Sequence, residues 1–299
     1  MVRGKEKPGG VATIAINLMK GLDKIGASYH FNDYKYIQKH PEEIACIIGK
    51  PHLLFEGKWK NPVILGAGIF PHPVECPELL VNYPNVKRVL VPGEWMRKMY
   101  EPFYGDKAVA WPVGIDTGYW SPWLNEVKTF DFLIYDKVRW EHDRYETELI
   151  NPITAQLEKL NLSYQFIRYG SYSHQELVTK LKQSKSVIFL CEHETQGLAY
   201  QQILATDTPI LAWDRGGYWQ DPYYYPHKAK FQPVSSVPYW DERCGLKFAG
   251  AGDFPEQLKG FLTMHDKFKP RDYVMENLTL EICAEKYLQI YSEVEKEIA

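Results

Sequence analysis

Short apolar, β-rich runs alternate with polar stretches and with Gly, Pro and Asp along most of the chain. One stretch, residues 187–217 (VIFLCEHETQGLAYQQILATDTPILAWDRGG), organises the pattern. Its opening run, 187–190, predicts a buried strand; the polar loop CEHETQG follows, and residues 198–205 predict an apolar helix. Asp207, Thr208 and Pro209 break the chain, and residues 210–213 predict a second buried strand that runs into Asp214-Arg215-Gly216-Gly217. Strand, helix and strand in so short a span make a βαβ unit, which implies a parallel sheet. The loop then lies at the C-terminal end of its strand and faces a helix N-terminus, where open α/β sheets take anionic and nucleotide ligands. Glu194 and Gly197 suit a ligand there better than packing.

The same pattern extends both ways. Pro8-Gly9-Gly10 opens a predicted helix with Val11, Ile14, Ala15, Leu18, Met19 and Leu22 at helical spacing and Gly26 as its stop. A glycine pair at such a point lets backbone N–H groups approach a phosphate or a sugar. Residues 28–32, 45–49, 63–66, 86–92 and 108–111 predict short strands, with a polar connector at 35–43 and a helix at 93–100. Pro71, Pro73 and Pro77 mark a structured loop that holds His72. A turn-rich crossover, residues 112–122, ends the first part of the chain. Beyond it, residues 130–135 and 164–169 predict strands, 145–160 and 174–183 helices, and 256–264 and 276–298 further helices. This alternation fits an α/β class with two Rossmann-like domains of parallel sheet, at 1–123 and 124–275, and a C-terminal helix at 276–299.

Composition narrows the function. The 299 residues carry a net charge of −3, which offers no global attraction for nucleic acid. Aromatic residues make up 14%, with 21 Tyr and 9 Trp, side chains that suit sugar or base stacking as well as core packing. The five cysteines are scattered with no C-x-x-C pair, which fits a reducing compartment with free thiols. No apolar run long enough to span a bilayer and no leader is visible, so the expectation is a cytoplasmic protein, monomer or homodimer, with peripheral membrane contact left open.

Glu194-Thr195-Gln196-Gly197-Leu198, then Gln202-Ile203-Leu204-Ala205, then Thr208-Pro209-Ile210 resembles the donor-site signature of retaining glycosyltransferases of family 4. The segment Pro112-Val113-Gly114-Ile115-Asp116, followed by Tyr119, Trp120 and Pro122, resembles that family's interdomain segment. The resemblance implies the GT-B architecture: two Rossmann-like domains facing a central cleft, with the C-terminal helix returning to the first. It implies a donor site of Gly9, Gly10, Lys137, Arg139, Glu194, Thr195, Gln196, Gly197, Leu198 and Gln202. Lys137 and Arg139 would hold the donor diphosphate, with Arg144 as a further cation nearby, and Glu194 would accept sugar hydroxyls. His72 would contact the donor sugar or the acceptor hydroxyl. No metal and no cofactor are implied; the substrates would be a UDP- or GDP-sugar and a glycan or glycolipid acceptor. Three departures stand out. Gln202 takes the place of a second glutamate, Gln196 that of an aromatic residue, and residues 1–7 are too few for a full first strand with its connection. A nucleotide-sugar epimerase of the same fold, or a degenerate protein that binds a nucleotide sugar or glycan without turnover, therefore stays open beside the transferase. The aromatic loop 218–231 reads equally as a sugar platform or as packing.

Overall fold

The computed structural model describes residues 10–49, 51–67, 70–123 and 126–299. Gly9, and the segment expected to hold a truncated first strand, lie outside them. The chain divides into two compact units, Met1–Gly114 with Asn277–Ala299, and Ile115–Glu276.

The first unit is built on a parallel sheet of β1 (Ala45–Ile47), β2 (Val63–Leu65), β3 (Val86–Val91) and β4 (Ala108–Ala110), in that spatial order. The expected strand at 28–32 is absent: Asn32 takes a left-handed φ of 54° there, and Phe31 is exposed, so neither pleat nor burial supports a strand. Part of the connector after it is instead a short helix, Tyr34–Lys39, whose first turn is capped by Asp33 accepting from the Tyr36 amide at 3.0 Å.

The C-terminal helix Leu280–Ile298 belongs to this unit and packs on the first helix, Gly10–Lys24. It starts at Thr279, whose hydroxyl accepts from the Ile282 amide at 3.2 Å. Its buried face, Leu280, Cys283, Ala284, Tyr287, Ile290 and Val294, follows the helical period. The predicted single helix over 276–298 is thus cut: Glu276 and Asn277 close a separate helix, Pro270–Asn277, and the capping threonine begins the next. Two glycines let the backbones meet. Gly114 lies against the Thr279–Leu280 backbone while its carbonyl accepts from buried Asn17 at 2.7 Å, and Gly21 abuts the Leu280 carbonyl and Ala284.

In the second unit β5 (Phe130–Asp136), β6 (Tyr164–Arg168), β7 (Ser184–Leu190), β8 (Ile210–Trp213) and β9 (Gly245–Phe248) form a parallel sheet in the order β6-β5-β7-β8-β9. Alternate residues Phe132, Ile134, Ile188, Leu190, Leu211 and Trp213 join a core with Ile153, Leu157, Leu258 and Phe261 from the helices Asn151–Lys159 and Phe254–Met264. On the other face Phe189 packs against Tyr200 of the helix Leu198–Ala205. Both faces are covered, which explains the near-continuous apolar strands. Two features escaped the sequence. β7 begins at Ser184, because buried Ser184 and Ser186 place their hydroxyls on Gln165 and His265. β9 is an edge strand of only four residues, buried at its two ends and more open between them. Among the described residues no helix is long and apolar enough to cross a membrane.

The close contact at Gly21 gives a test. An exposed helical Gly→Ala change gains up to about 1 kcal/mol of propensity, but a methyl group here would press on backbone that cannot rotate away. Gly21→Ala is expected to destabilise the protein by roughly 1–3 kcal/mol in denaturant unfolding; a stabilised variant would mean that the two helices do not meet at this glycine.

Candidate active site

The strand order of the second unit reverses at β5, whose neighbours are β6 on one side and β7 on the other. Right-handed crossovers then carry the chain to opposite faces of the sheet, and the loops after β5 and β7 part to leave a crevice at their carboxyl ends. The candidate site is built from those two loops and lies within the second unit.

Asp136 ends β5 as a carboxylate that is only 4% exposed. Its Oδ1 accepts from the Val138 amide at 3.0 Å and from Arg168 Nη1 at 2.8 Å, and Oδ2 lies 2.7 Å from His142 Nε2. Arg168 also donates to the Val138 carbonyl at 2.7 Å. A carboxylate satisfied in this way fixes the backbone on both sides of Lys137. Lys137 is ion-paired with Glu194, and its ammonium sits 4.6 Å from the centre of the Tyr169 ring. Burial works against the ammonium, but the groups around it, Glu194 foremost with Cys191 and Tyr169, together more than offset this and leave the Lys137 pKa above that of a free lysine.

The loop after β7 carries two acids. Glu194, 7% exposed, is anchored by its own amide donating to the Ser235 carbonyl at 2.9 Å. Glu192, 2% exposed, accepts through Oε1 from the amides of Arg139 and Trp140 at 2.7 and 2.9 Å, while Arg139 Nε stands 3.5 Å from Oε2. Arg139 also donates to the His193 carbonyl at 2.9 Å. Between the acids, the His193 ring accepts at Nε2 from the buried Trp219 indole at 3.0 Å. Burial, together with the nearby Arg139, Arg215 and Lys137 charges, holds the His193 pKa well below the usual histidine value. Its ring is therefore a neutral acceptor. Trp219 and Tyr224 of the aromatic loop are packed inside, whereas Tyr223 is exposed, so that loop serves packing at least through its buried members.

Gly197 closes the loop. Its φ of 77° is left-handed, and a Cβ would collide with the Tyr200 ring, so glycine is required on both counts. Tyr200 is fixed in turn by accepting from the Tyr239 amide at 2.9 Å. The helix Leu198–Ala205 thus starts without a side-chain cap, and its first amides are not taken up by a capping residue. Buried Gln196 is bonded to Gln201, which in turn donates to the Gln196 carbonyl at 2.6 Å. Thr195 and Leu198 are half-buried beside it, and Gln202 is half-buried with no hydrogen bond among the described residues. The other candidates lie elsewhere. Arg144 is a surface residue paired with Glu141 and Glu148. His72 is buried in the first unit, where Nδ1 accepts from the Val74 amide at 3.0 Å and burial lowers its pKa. Gly10 opens the helix Gly10–Lys24 with open space where a side chain would be, and Gly9 is outside the described residues.

No protein-family model and no curated protein sequence matches the chain. Solved structures do. A Staphylococcus aureus TarM variant in complex with fondaparinux, α-GlcNAc-glycerol and UDP superposes with a TM-score of 0.59 at 15% identity, over 93% of this chain and 58% of that one. AviGT4, a glycosyltransferase of avilamycin A biosynthesis, gives 0.53 at 13% identity over 97% and 91%. The pneumococcal O-GlcNAc transferase GtfA in complex with UDP and GlcNAc gives 0.54 at 10% identity over 88% and 59%. The fold is of the GT-B type. The chain spans only 63%, 58% and 58% of the length of the first three structures that it matches.

Within this GT-B chain the loops after β5 and β7 bring Lys137, Arg139 and Glu194 together with residues that sequence reasoning passed over: Asp136, Arg168, Glu192 and His193. Asp136 had a signal, since an acid closing an apolar strand must find buried partners. Glu192 had only its place in the same polar loop.

The neutral His193 predicts a pH dependence with a fixed sign. The unfolded chain binds a proton there near the ordinary value of about 6.5 and the folded chain does not, so this contribution is complete above that pH. It is lost on acidification through that value toward the depressed folded one, at up to about 1.4 kcal/mol per pH unit. Between about pH 7 and pH 5 the wild type should lose more thermal stability than His193→Gln, which keeps an acceptor but does not titrate. Parallel curves would show that His193 is protonated in the folded state.

Proposed function

We propose that the chain is a glycosyltransferase that moves a hexose-type sugar from a UDP- or GDP-linked donor to a glycan or glycolipid acceptor, with retention of configuration and without a metal. The observation that carries this reading is the pairing of Lys137 with Glu194, beside Arg139 on Glu192, at the reversal point of a GT-B sheet. The uncapped N-terminus of the helix Leu198–Ala205 adds partial positive charge at the same place. Solved structures of this fold include ones in complex with UDP.

Sugar transfer of this kind breaks the bond from the anomeric carbon to the diphosphate oxygen, and negative charge grows on the departing diphosphate. Lys137 and Arg139 are the cations to receive it. Lys137 exchanges its carboxylate partner for phosphate oxygen, which frees Glu194 to accept hydroxyls of the donor sugar. Gln202, which has no hydrogen bond among the described residues, offers an amide to the nucleotide ribose in place of a carboxylate. Thr195, Gln196 and Leu198 line the sugar, while Gly10 leaves room for close backbone approach. The acceptor oxygen attacks the anomeric carbon from the face that the diphosphate leaves, and its proton passes to the departing phosphate oxygen. His72, neutral in its loop, acts on the acceptor hydroxyl or the donor sugar.

The test is nucleoside diphosphate release from a panel of UDP-, GDP- and ADP-sugars in the presence of a chelator, with and without acceptor sugars. One donor should be hydrolysed slowly or transferred by the wild type, and Lys137→Ala or Glu194→Ala should lower that rate by roughly 10²–10³-fold. The anomer of the transferred sugar, read by NMR, checks retention. Thermal stabilisation by a nucleotide without any release under all conditions would favour the binding-protein reading, and a fold that no nucleotide stabilises would sink the donor site.

A further inference from the structure

Arg215 leaves the end of β8 in the loop Asp214-Arg215-Gly216-Gly217, a segment that the reading above does not use. Every other described arginine pairs with a carboxylate or, in the case of Arg271, donates to three backbone carbonyls. Arg215 has no carboxylate partner among the described residues, and its one hydrogen bond is a long one, 3.4 Å from Nη2 to the Tyr218 carbonyl. The neighbouring acid is committed elsewhere: Asp214 accepts from Lys247 at 2.8 Å, from the Ser235 hydroxyl at 3.1 Å and from the Ser236 amide at 2.8 Å. Arg215 Nε is sealed inside, but Nη1 is open to solvent and carries no hydrogen bond. Two bare residues follow. Gly216 and Gly217 have left-handed φ values of 62° and 74°, and open space lies where a Cβ would be. The Gly217 carbonyl is taken by the Val234 amide at 3.1 Å, while neither glycine amide has an acceptor among the described residues.

An unpaired guanidinium beside two free amides in a turn is a set of donors that lacks an anion. The register of Leu190 with Trp213 runs the loops after β7 and β8 out of the sheet side by side. Burial first, and then the charges of Arg139, Arg215 and Lys137, hold the His193 pKa down, so Arg215 is felt at the neighbouring loop as a positive charge. The anion's chemistry follows from the donors left open. A carboxylate is best held by two parallel N–H groups of one guanidinium, and here Nε is inaccessible. A phosphoryl group has three oxygens in a tetrahedral array, which can take Nη1 and the two backbone amides separately, and the glycines let it approach the chain. Two strand spacings, about 10 Å, separate the end of β8 from that of β5, which sets these donors beside Lys137 and not on the same phosphate. We propose that Arg215 and the amides of Gly216 and Gly217 bind a phosphoryl group of the second substrate, so that the sugar acceptor is a phosphorylated one. That this substrate is the acceptor rests on the transferase reading; the phosphate site itself does not.

Calorimetric binding of hexose 6-phosphates and glycerol phosphate to the full chain tests the proposal, against the unphosphorylated compounds, a hexuronate as the carboxylate, and UDP and GDP. At least one phosphorylated compound should bind saturably and its plain counterpart roughly tenfold or more weaker, a comparison on the wild type that needs no variant. Arg215→Gln, at a half-buried position, should weaken the phosphorylated compound by roughly tenfold or more at unchanged affinity for UDP and GDP, and Arg215→Lys, which keeps a cation, should lose less. Three results would overturn it: no saturable binding of a phosphorylated compound, a hexuronate bound as tightly, or a loss of UDP or GDP affinity in Arg215→Gln, which would assign the guanidinium to the donor. Phosphate binding with no response to any nucleotide would leave the site standing and remove the transferase reading instead.

Discussion

Charge balance under burial governs the second unit. Three carboxylates, Asp136, Glu192 and Glu194, are nearly inaccessible to water, and each is matched: Asp136 by Arg168, Glu192 by Arg139 and two amides, Glu194 by Lys137. Removing one partner from such a pair leaves an uncompensated charge, a cost of about 3–5 kcal/mol. The arrangement is therefore stiff without being a stability device, since a well-packed apolar substitute would often serve stability as well. Its effect is to hold two cations, Lys137 and Arg139, in place at the carboxyl end of β5.

That location follows from the order of strands. Parallel strands with right-handed crossovers can open a crevice only where the order turns back, and in this sheet the turn falls between β6 and β7. The first sheet, ordered β1 to β4 in sequence, has no such reversal among the described residues. The two units share a class of architecture, then, but only one offers a crevice made by its own topology.

Much of the fold could be read from the sequence, for a physical reason: a strand buried on both faces is a run of apolar residues that nothing else in a soluble chain demands. Ile210–Trp213 and Leu198–Ala205 fall where the pattern puts them. Ser184 and Ser186 hid the start of β7, because hydroxyls bonded inside the protein look from sequence like hydroxyls in water. Pro152, just inside Asn151–Lys159, is preceded by a π turn, Glu146–Ile150, a widening that a uniform helical period does not foresee. The site divides in the same way. A glycine in a polar loop after a strand and a lysine just past another stand out locally. The pairing of Arg168 with Asp136, or of Trp219 with His193, joins residues that only the folded chain brings together. Structures at 10–15% identity adopt the same fold, which fits an architecture set by hydrophobic pattern and turn chemistry more than by particular residues.

The meeting of Gly114 with the Thr279–Leu280 backbone has a consequence in time. The second unit is one unbroken stretch of chain, whereas the first is completed by a helix that the ribosome makes only after the whole second unit has emerged. Domains commonly fold as they are synthesised, first made and first finished. Here that order is inverted: the leading segment waits, with the helix Gly10–Lys24 not yet packed against Leu280–Ile298, while its successor closes. The interval is one in which a chaperone would have something to hold.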